Sequence, residues 1–314
     1  MAARSIRDIR GALLADNSLQ GLAFCDRYAA ATDQWLREQV EDLKASDRAV
    51  ALIAVGGYGR GELSPFSDLD LVLVHEARKN VNAFGEALWY RIWDEGLQLD
   101  HSIRSPREVR SLASSDLRVA LGLLDGRMIW GDEKFAESNL ERVRSMWQLE
   151  LGAQWIPELR RQMAQRHADA GELAFLLEPD LKEAHGGLRD VNVLNAVASY
   201  ATELADYVDL STLSDATALL TAVRVELHRG AGRAQDRLLL QEQDGVAKQL
   251  HFADADELMR AVSEAGRRIA RVSDEVWRRS ARWTTQKKRR RSSQIAKDLS
   301  AEDEIALDVE AGIQ

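Results

Sequence analysis

Asp68 and Asp70 stand at the head of an apolar run, Ser67-Asp68-Leu69-Asp70-Leu71-Val72-Leu73-Val74. Read as a strand, the run points Leu69, Leu71 and Leu73 one way and Asp68, Asp70 and Val72 the other. The two aspartates then share a face, about 6.5 Å apart at Cα. Carboxylates placed so raise each other's pKa unless a cation offsets their repulsion. An Asp-x-Asp pair can hold one or two Mg²⁺ ions, with Mn²⁺ as a substitute, and such hard ions also take phosphate oxygens. Two ions about 4 Å apart clamp the attacking and leaving oxygens of a phosphoryl transfer.

The elements that must position this pair are short. Val50-Ala51-Leu52-Ile53-Ala54-Val55, closed by Gly56-Gly57, predicts a buried strand just upstream. The double glycine lets the backbone turn and approach a ligand, and its N–H groups can receive phosphate oxygens. Gly59 and Gly61 extend the turn, and Arg60 offers phosphate a planar fork of donors. Downstream, Asn80–Gly96 reads as a helix with Phe84, Leu88 and Ile92 on its apolar side. Leu97–Arg104 reads as a third strand carrying Asp100, with His101 on the opposite face in a structural role. Ser105-Pro106-Arg107-Glu108 is a helix start. One helix is expected through Ala113 and a second from Ser115-Asp116 to Ile129. Residues 133–169 read as one long charged helix or two, broken near Pro157. Upstream, residues 4–47 read as two helices separated near Asp16-Asn17-Ser18 that cover the sheet or a neighbouring helix, with Cys25 as a packed small hydrophobe.

Gly-Gly, ten residues, then Asp-x-Asp opening an apolar strand resembles the signature of the polymerase-β-like nucleotidyltransferase superfamily. The longer string Gly56-Gly57-Tyr58-Gly59-Arg60-Gly61-Glu62-Leu63, followed by Ser67-Asp68-Leu69-Asp70-Leu71, is similar to the bifunctional uridylyltransferase/uridylyl-removing enzyme family, which modifies the PII signal protein. The resemblance implies an α/β (α+β) nucleotidyltransferase core with a small mixed sheet, plus a mostly α-helical second domain. It also gives Asp100 the place of a third carboxylate, binding metal beside Asp68 and Asp70 or acting as a base. A second stretch, Phe175 to Val191, contains Gly186-Gly187 turning into a helix, and a helix start of that kind is a ready anion site. Asp180-x-Lys182 followed by Gly186-Gly187-Leu188-Arg189-Asp190 resembles a motif shared by the PII-modifying enzymes and the glutamine synthetase adenylyltransferases. That likeness implies that Lys182, Arg189 and Asp190 lie near the nucleotide, on a helical domain closing over the sheet. Asp236-Arg237-Leu238-Leu239-Leu240-Gln241 also resembles the family, with Arg237 a candidate for a phosphate or structural contact.

With 314 residues the chain has room for two domains or a domain with a helical extension. The expected division is 1–48 N-terminal helices, 49–150 catalytic core, 151–285 helical domain (with helices over Leu213–Arg229 and Asp254–Arg282), and 286–314 a basic then acidic disordered tail. Apolar content of 45% and charged content of 30% describe a globular chain. The one cysteine rules out an intrachain disulfide and a cysteine-cluster metal site. No apolar run approaches a membrane span, and the N-terminus shows no signal-peptide core, so a cytoplasmic place without membrane contact is expected. A formal charge of −9 argues against a nucleic-acid partner. The dense basic cluster Lys287–Arg291 reads as a solvated helix end.

The reading is an enzyme that moves UMP or AMP from UTP or ATP to a hydroxyl and releases pyrophosphate. Its expected acceptor is the loop tyrosine of a PII protein, with another protein or a small molecule as the alternative acceptor, or a non-catalytic nucleotide- or PII-binding regulator as the alternative class. Asp68, Asp70 and Asp100 hold metal or act in catalysis, while Gly56, Gly57, Ser67 and Arg60 cradle phosphates. No His-Asp dipeptide occurs in the chain. Transfer without His-Asp-type removal, and without the glutamine-sensing domains of full-length relatives, is therefore expected, whether the chain is a piece of a longer protein or stands alone.

Overall fold

The structure is a computed structural model that describes residues 5–43, 49–76, 80–201 and 210–280. The basic cluster Lys287–Arg291 and the acidic tail lie outside the described residues.

The apolar run closed by the double glycine is strand β1 (Val50–Ala54), and the aspartate-bearing run is β2 (Leu69–His75). With β3 (Leu99–Arg104) and β4 (Arg127–Gly131) they form a mixed sheet in the order β3-β2-β1-β4. β1 pairs antiparallel with β2 and β4, and β2 pairs parallel with β3. The register follows the side-chain alternation. Val50, Leu52, Ala54, Leu69, Leu71 and Leu73 fill one apolar layer, against Phe24, Tyr28, Trp35 and Leu36 of α2 (Gly21–Asp42) and Leu88, Trp89 and Ile92 of α4 (Val81–Asp94). Each such leucine is fully buried, worth about 1.5–3 kcal/mol. A slip of one residue would drive Asp70 into that layer and the leucines out of it, so the leucine stripe enforces the placement of the acids. A shorter helix, α1 (Ile6–Ala15), packs beside α2, and between β1 and β2 lies the single turn α3 (Gly56–Gly59).

Ala51, Ile53 and Val74 face the other way. They pack on Val109 and Ala113 of α5 (Pro106–Ser115), Ala120 and Leu123 of α6 (Leu117–Leu124), and Leu140 and Val143 of α7 (Glu133–Met146). The same buried cluster runs on without a gap through α8 (Gly152–Ala170), α9 (Leu188–Tyr200), α10 (Leu210–Ala231), α11 (Leu240–Gln249) and α12 (255–280). The mostly helical second half is thus packed onto the sheet's edge helices through one continuous core.

Two local expectations are corrected and one helix is added. The helix from Asp116 stops at Leu124, because Asp125-Gly126 turns the chain and Arg127–Gly131 then adds a strand beside β1. The break in 133–169 falls at a wide π turn over Trp147–Leu151, not at Pro157, which sits inside α8. There the Trp147 indole N–H donates to Ala196 O at 3.0 Å, and Gly152 presses so close to the Tyr200 ring that a Cβ would lie 2.2 Å from it. Loosening the ladder just ahead of Pro157 accommodates a residue that cannot donate. Finally, Leu240–Gln249 forms a helix between the two that were expected.

The turn after β1 is anchored from behind. Tyr58 donates its hydroxyl to Asp33 Oδ1 at 2.7 Å, and Arg127 donates to both Asp33 oxygens and to Gly59 O. Burial first, then the Asp33 charge, pushes the Tyr58 hydroxyl well above its ordinary range, so it stays a donor. Asp33→Ala should cost about 2 kcal/mol in urea unfolding, below the value for a fully buried pair because Arg127 is 35% exposed. Tyr58→Phe should cost about 1 kcal/mol. A loss under half a kcal/mol for Asp33→Ala would show the anchor to be idle.

Candidate active site

The end of β1 and the start of β2 meet at the glycine turn. Val55 N donates to Asp70 O at 3.0 Å, and Gly59 N closes the turn onto Val55 O at 3.0 Å. Gly56 adopts φ +57°, and a Cβ there would stand 3.1 Å from Asp70 Oδ2. Only glycine fits both the backbone conformation and that contact. The amides at the start of α3 have no acceptor within the helix and open beside the Asp70 carboxylate.

The parallel register sets Asp70 directly across from Asp100 on the same sheet face, and Asp68 precedes them by one strand step. Asp70 is half-buried, while Asp68 and Asp100 are exposed. Burial, then the charges of Asp100 and Asp68, push the Asp70 carboxyl up to about 6 against the pull of Lys182 and Arg60. An all-oxygen, anionic donor set under this strain suits a hard divalent cation.

These groups line a cleft of about 1430 Å³ between the sheet side and the helices. Gly56, Gly57, Arg60, Ser67, Asp68, Asp70 and Asp100 line one side, and Lys182 and Arg189 the other. Two of the anticipated phosphate ligands are already engaged. Arg60 donates to Glu62 at 2.8 Å and to Asp125, and Arg189 donates to Glu183 at 2.6 Å. Both therefore stand in the cleft as neutralised pairs. Lys182 is paired as well, with Asp236 at 3.7 Å.

Asp190 is the residue that the fold does not bring to the cleft. It is fully buried behind the Gly186-Gly187 turn, where it accepts from Gly186 N at 2.8 Å and from Arg166, and pairs with His167 Nε2 at 2.8 Å. Burial pushes its carboxyl up, but His167 and Arg166 outweigh that and hold it below its ordinary value. Expected beside the nucleotide, it acts as the clasp of the turn that presents Lys182 and Arg189, whose backbones bond at Arg189 N–Lys182 O, 3.0 Å. Arg237 lines a separate surface pocket with Arg161 and Arg166.

Sequence reasoning missed Arg224 and Asp236. Arg224 on α10 donates to Ser64 Oγ at 2.6 Å, in the connection leading to Asp68, and to Asp236 Oδ1 at 2.5 Å. Burial pushes Asp236 up, but the neighbouring His228, Arg224 and Lys182 outweigh it and hold the carboxylate far below its usual range. The signal was present in Asp236-Arg237, but nothing local says which of the two turns inward.

Residues 35–117 match the family model of the nucleotidyltransferase domain. Strands β1, β2 and β3 and the glycine turn lie inside that match, and β4 lies beyond it. Residues 156–277 match the model described as GlnD PII-uridylyltransferase. The chain is 47% identical to a bifunctional uridylyltransferase/uridylyl-removing enzyme of Streptomyces coelicolor over 272 residues, 86% of this chain and 32% of that one. It is 38% identical to the enzyme of that name from Mycobacterium tuberculosis over 76% of this chain and 30% of the relative, and 35% identical to that of Phenylobacterium zucineum over 65% and 23%. The chain is thus similar to a part of these enzymes and spans about a third or less of the length of these curated relatives. A toxin–antitoxin crystal structure with AMP-PNP superposes only weakly, at TM-score 0.29 and 18% identity over 41% of this chain and 98% of that one. No helix among the described residues is long and apolar enough to cross a membrane.

In the metal-free protein the raised Asp70 pKa has a definite sign. The folded state holds the proton up to about pH 6, whereas an unfolded aspartate releases it near 3.8, so this group removes stability as pH rises through that interval. Asp70→Asn should therefore raise stability by about 1–2 kcal/mol at pH 7.5 and change it little at pH 4, read by urea unfolding at both values. Equal stability of variant and parent at pH 7.5 would contradict the electrostatic reading. Asp236→Ala should raise the KM for nucleotide about tenfold, through loss of support for Lys182 and Arg224, with a smaller effect on kcat.

Proposed function

We propose that this chain transfers UMP from UTP to the tyrosine hydroxyl of a PII-type signal protein and releases pyrophosphate. The observation that carries the reading is the in-register Asp70–Asp100 pair, with Asp68, beside the Gly56 turn in a cleft large enough for a nucleotide. The names of the relatives support UTP over ATP and PII over other acceptors. Lys182, Arg189 and Arg224 of the helical part supply a wall of the cleft that the catalytic part lines with its glycine turn and acids.

Asp68, Asp70 and Asp100 would hold Mg²⁺, which supplies charge neutralisation at the phosphates when bound. The chain's own groups do the rest. The amides of Gly56 and Gly57, with Ser67, receive phosphate oxygens and fix the triphosphate. Lys182 and Arg224, held by Asp236, add positive charge on the opposite wall. Asp100, exposed on the edge strand, takes the hydroxyl proton. The tyrosine oxygen bonds to the α-phosphorus as the bond to the β-phosphate oxygen breaks. Most of the acceleration comes from placement and charge neutralisation.

Incubating the protein with Mg²⁺, a PII protein and either UTP or ATP, followed by intact-mass and peptide mass spectrometry, tests this. One added UMP on a tyrosine, absent with Asp70→Asn, is the expected result. Nucleotide binding without modification of PII would overturn the proposed acceptor. An active Asp70→Asn enzyme would overturn the assigned site.

A further inference from the structure

Lys182 pulls on the Asp70 carboxyl from the far wall of the cleft, yet it stands paired with Asp236 Oδ2 at 3.7 Å. To meet a phosphate oxygen its ammonium must turn to a new partner about 2.7–2.9 Å away. Asp236 then keeps only Arg224, which donates to Oδ1 at 2.5 Å and to Ser64 Oγ at 2.6 Å. The Asp236 side chain is 27% exposed. A carboxylate so placed is destabilised by the loss of a cation unless another donor takes its place.

Such a donor stands beside it. His228 lies one turn beyond Arg224 on α10, on the same side of the helix. Its side chain is fully buried, and neither ring nitrogen has a hydrogen-bond partner among the described residues. Nε2 is 3.7 Å from Asp236 Oδ1, about 0.8 Å beyond an ordinary N–H···O distance. The groups that face the ring are Asp236, Arg224 and Lys182, with Phe66 in a tilted contact at 6.4 Å between ring centres. Burial and the Arg224 and Lys182 charges hold the imidazole below its ordinary value against the pull of Asp236, so it is neutral and carries one ring proton. An unpartnered buried imidazole is costly, and this one gains a partner by moving less than an ångström.

We infer that His228 is a positioning residue that exchanges with Lys182 on Asp236: as Lys182 leaves for a phosphate, the His228 Nε2–H closes on the Asp236 carboxylate. This rests on the reading above that Lys182 meets the nucleotide's phosphates, and adds the device that frees it. One carboxylate thereby serves two states. Without nucleotide Asp236 pairs with Lys182 and Arg224; with nucleotide it pairs with His228 and Arg224. Arg224 keeps its bond to Ser64 in both, so the connection leading to Asp68 stays tied to α10. His228 lies behind the cleft wall rather than on it and acts through Asp236 alone. Its task is to lower the cost of releasing Lys182, which tightens nucleotide binding and leaves the chemical step to other groups.

Nitrogen NMR of protein labelled with ¹⁵N-histidine, titrated with inorganic tripolyphosphate in the presence of Mg²⁺, tests the exchange without any acceptor; His228→Gln assigns the signals. In the wild type the His228 Nε2 signal should move at saturation to that of a strongly donating N–H. In Lys182→Met, which vacates Asp236, it should stand near that position before any anion is added and change little afterwards. His228→Phe keeps a ring but donates nothing. It should raise the KM for UTP about fivefold with kcat within about twofold, and His228→Gln, whose amide donates, should restore most of the loss. A His228 signal that stays in place at saturating tripolyphosphate, or moves equally in wild type and Lys182→Met, overturns the exchange. An unchanged KM in His228→Phe overturns it too. Movement that depends on Lys182, in a protein that modifies no PII, would uphold the exchange while the transfer reading falls.

Discussion

The repulsion among Asp68, Asp70 and Asp100 is the constraint to which the rest of the molecule answers. The folded chain brings negative groups together on one sheet face and half-buries the middle one, raising it to about 6. This runs against stability and persists because the opposite face of the same strands is an uninterrupted layer of buried leucine, valine and aromatic side chains. The apolar layer dictates register, and register dictates where the acids stand. Strain of that sort is useful when a cation is available to relieve it.

The second half of the chain works through contact with this centre. One buried cluster joins α5, α6 and α7, which back the sheet, to α8 through α12. On top of that packing lies a polar link, Ser64–Arg224–Asp236–Lys182, which ties the connection before Asp68 to the far wall. Asp236 keeps two cations from drifting into each other, and Asp190 performs a parallel task for the Gly186-Gly187 turn. In both places a carboxylate drawn out of solvent holds neighbouring cations and amides in position.

Much of the centre was legible because its determinants are local. Glycine at 56 and 57, acids at 68 and 70 and the leucine alternation all act within a few residues, and the third strand with Asp100 follows the same period-two logic. The elements that escaped are those whose state depends on distant partners. Arg127–Gly131 is a strand only because β1 offers it an edge. The π turn at Trp147–Leu151 answers to Ala196 and Tyr200, far along the chain. Arg60 looks like a phosphate ligand until Glu62 and Asp125 are seen to occupy it.

By itself, then, the sequence determined the glycine turn and the strand that carries the paired acids, since side-chain alternation and backbone freedom are properties of adjacent residues. Tertiary structure alone decided which charges are free and which are spent. Asp190 rather than a nucleotide takes up Arg166, and Asp236 rather than Arg237 turns inward. Ion pairing and satisfaction of buried polar groups are settled by what packing brings within about 3 Å, and no spacing along the chain encodes that distance.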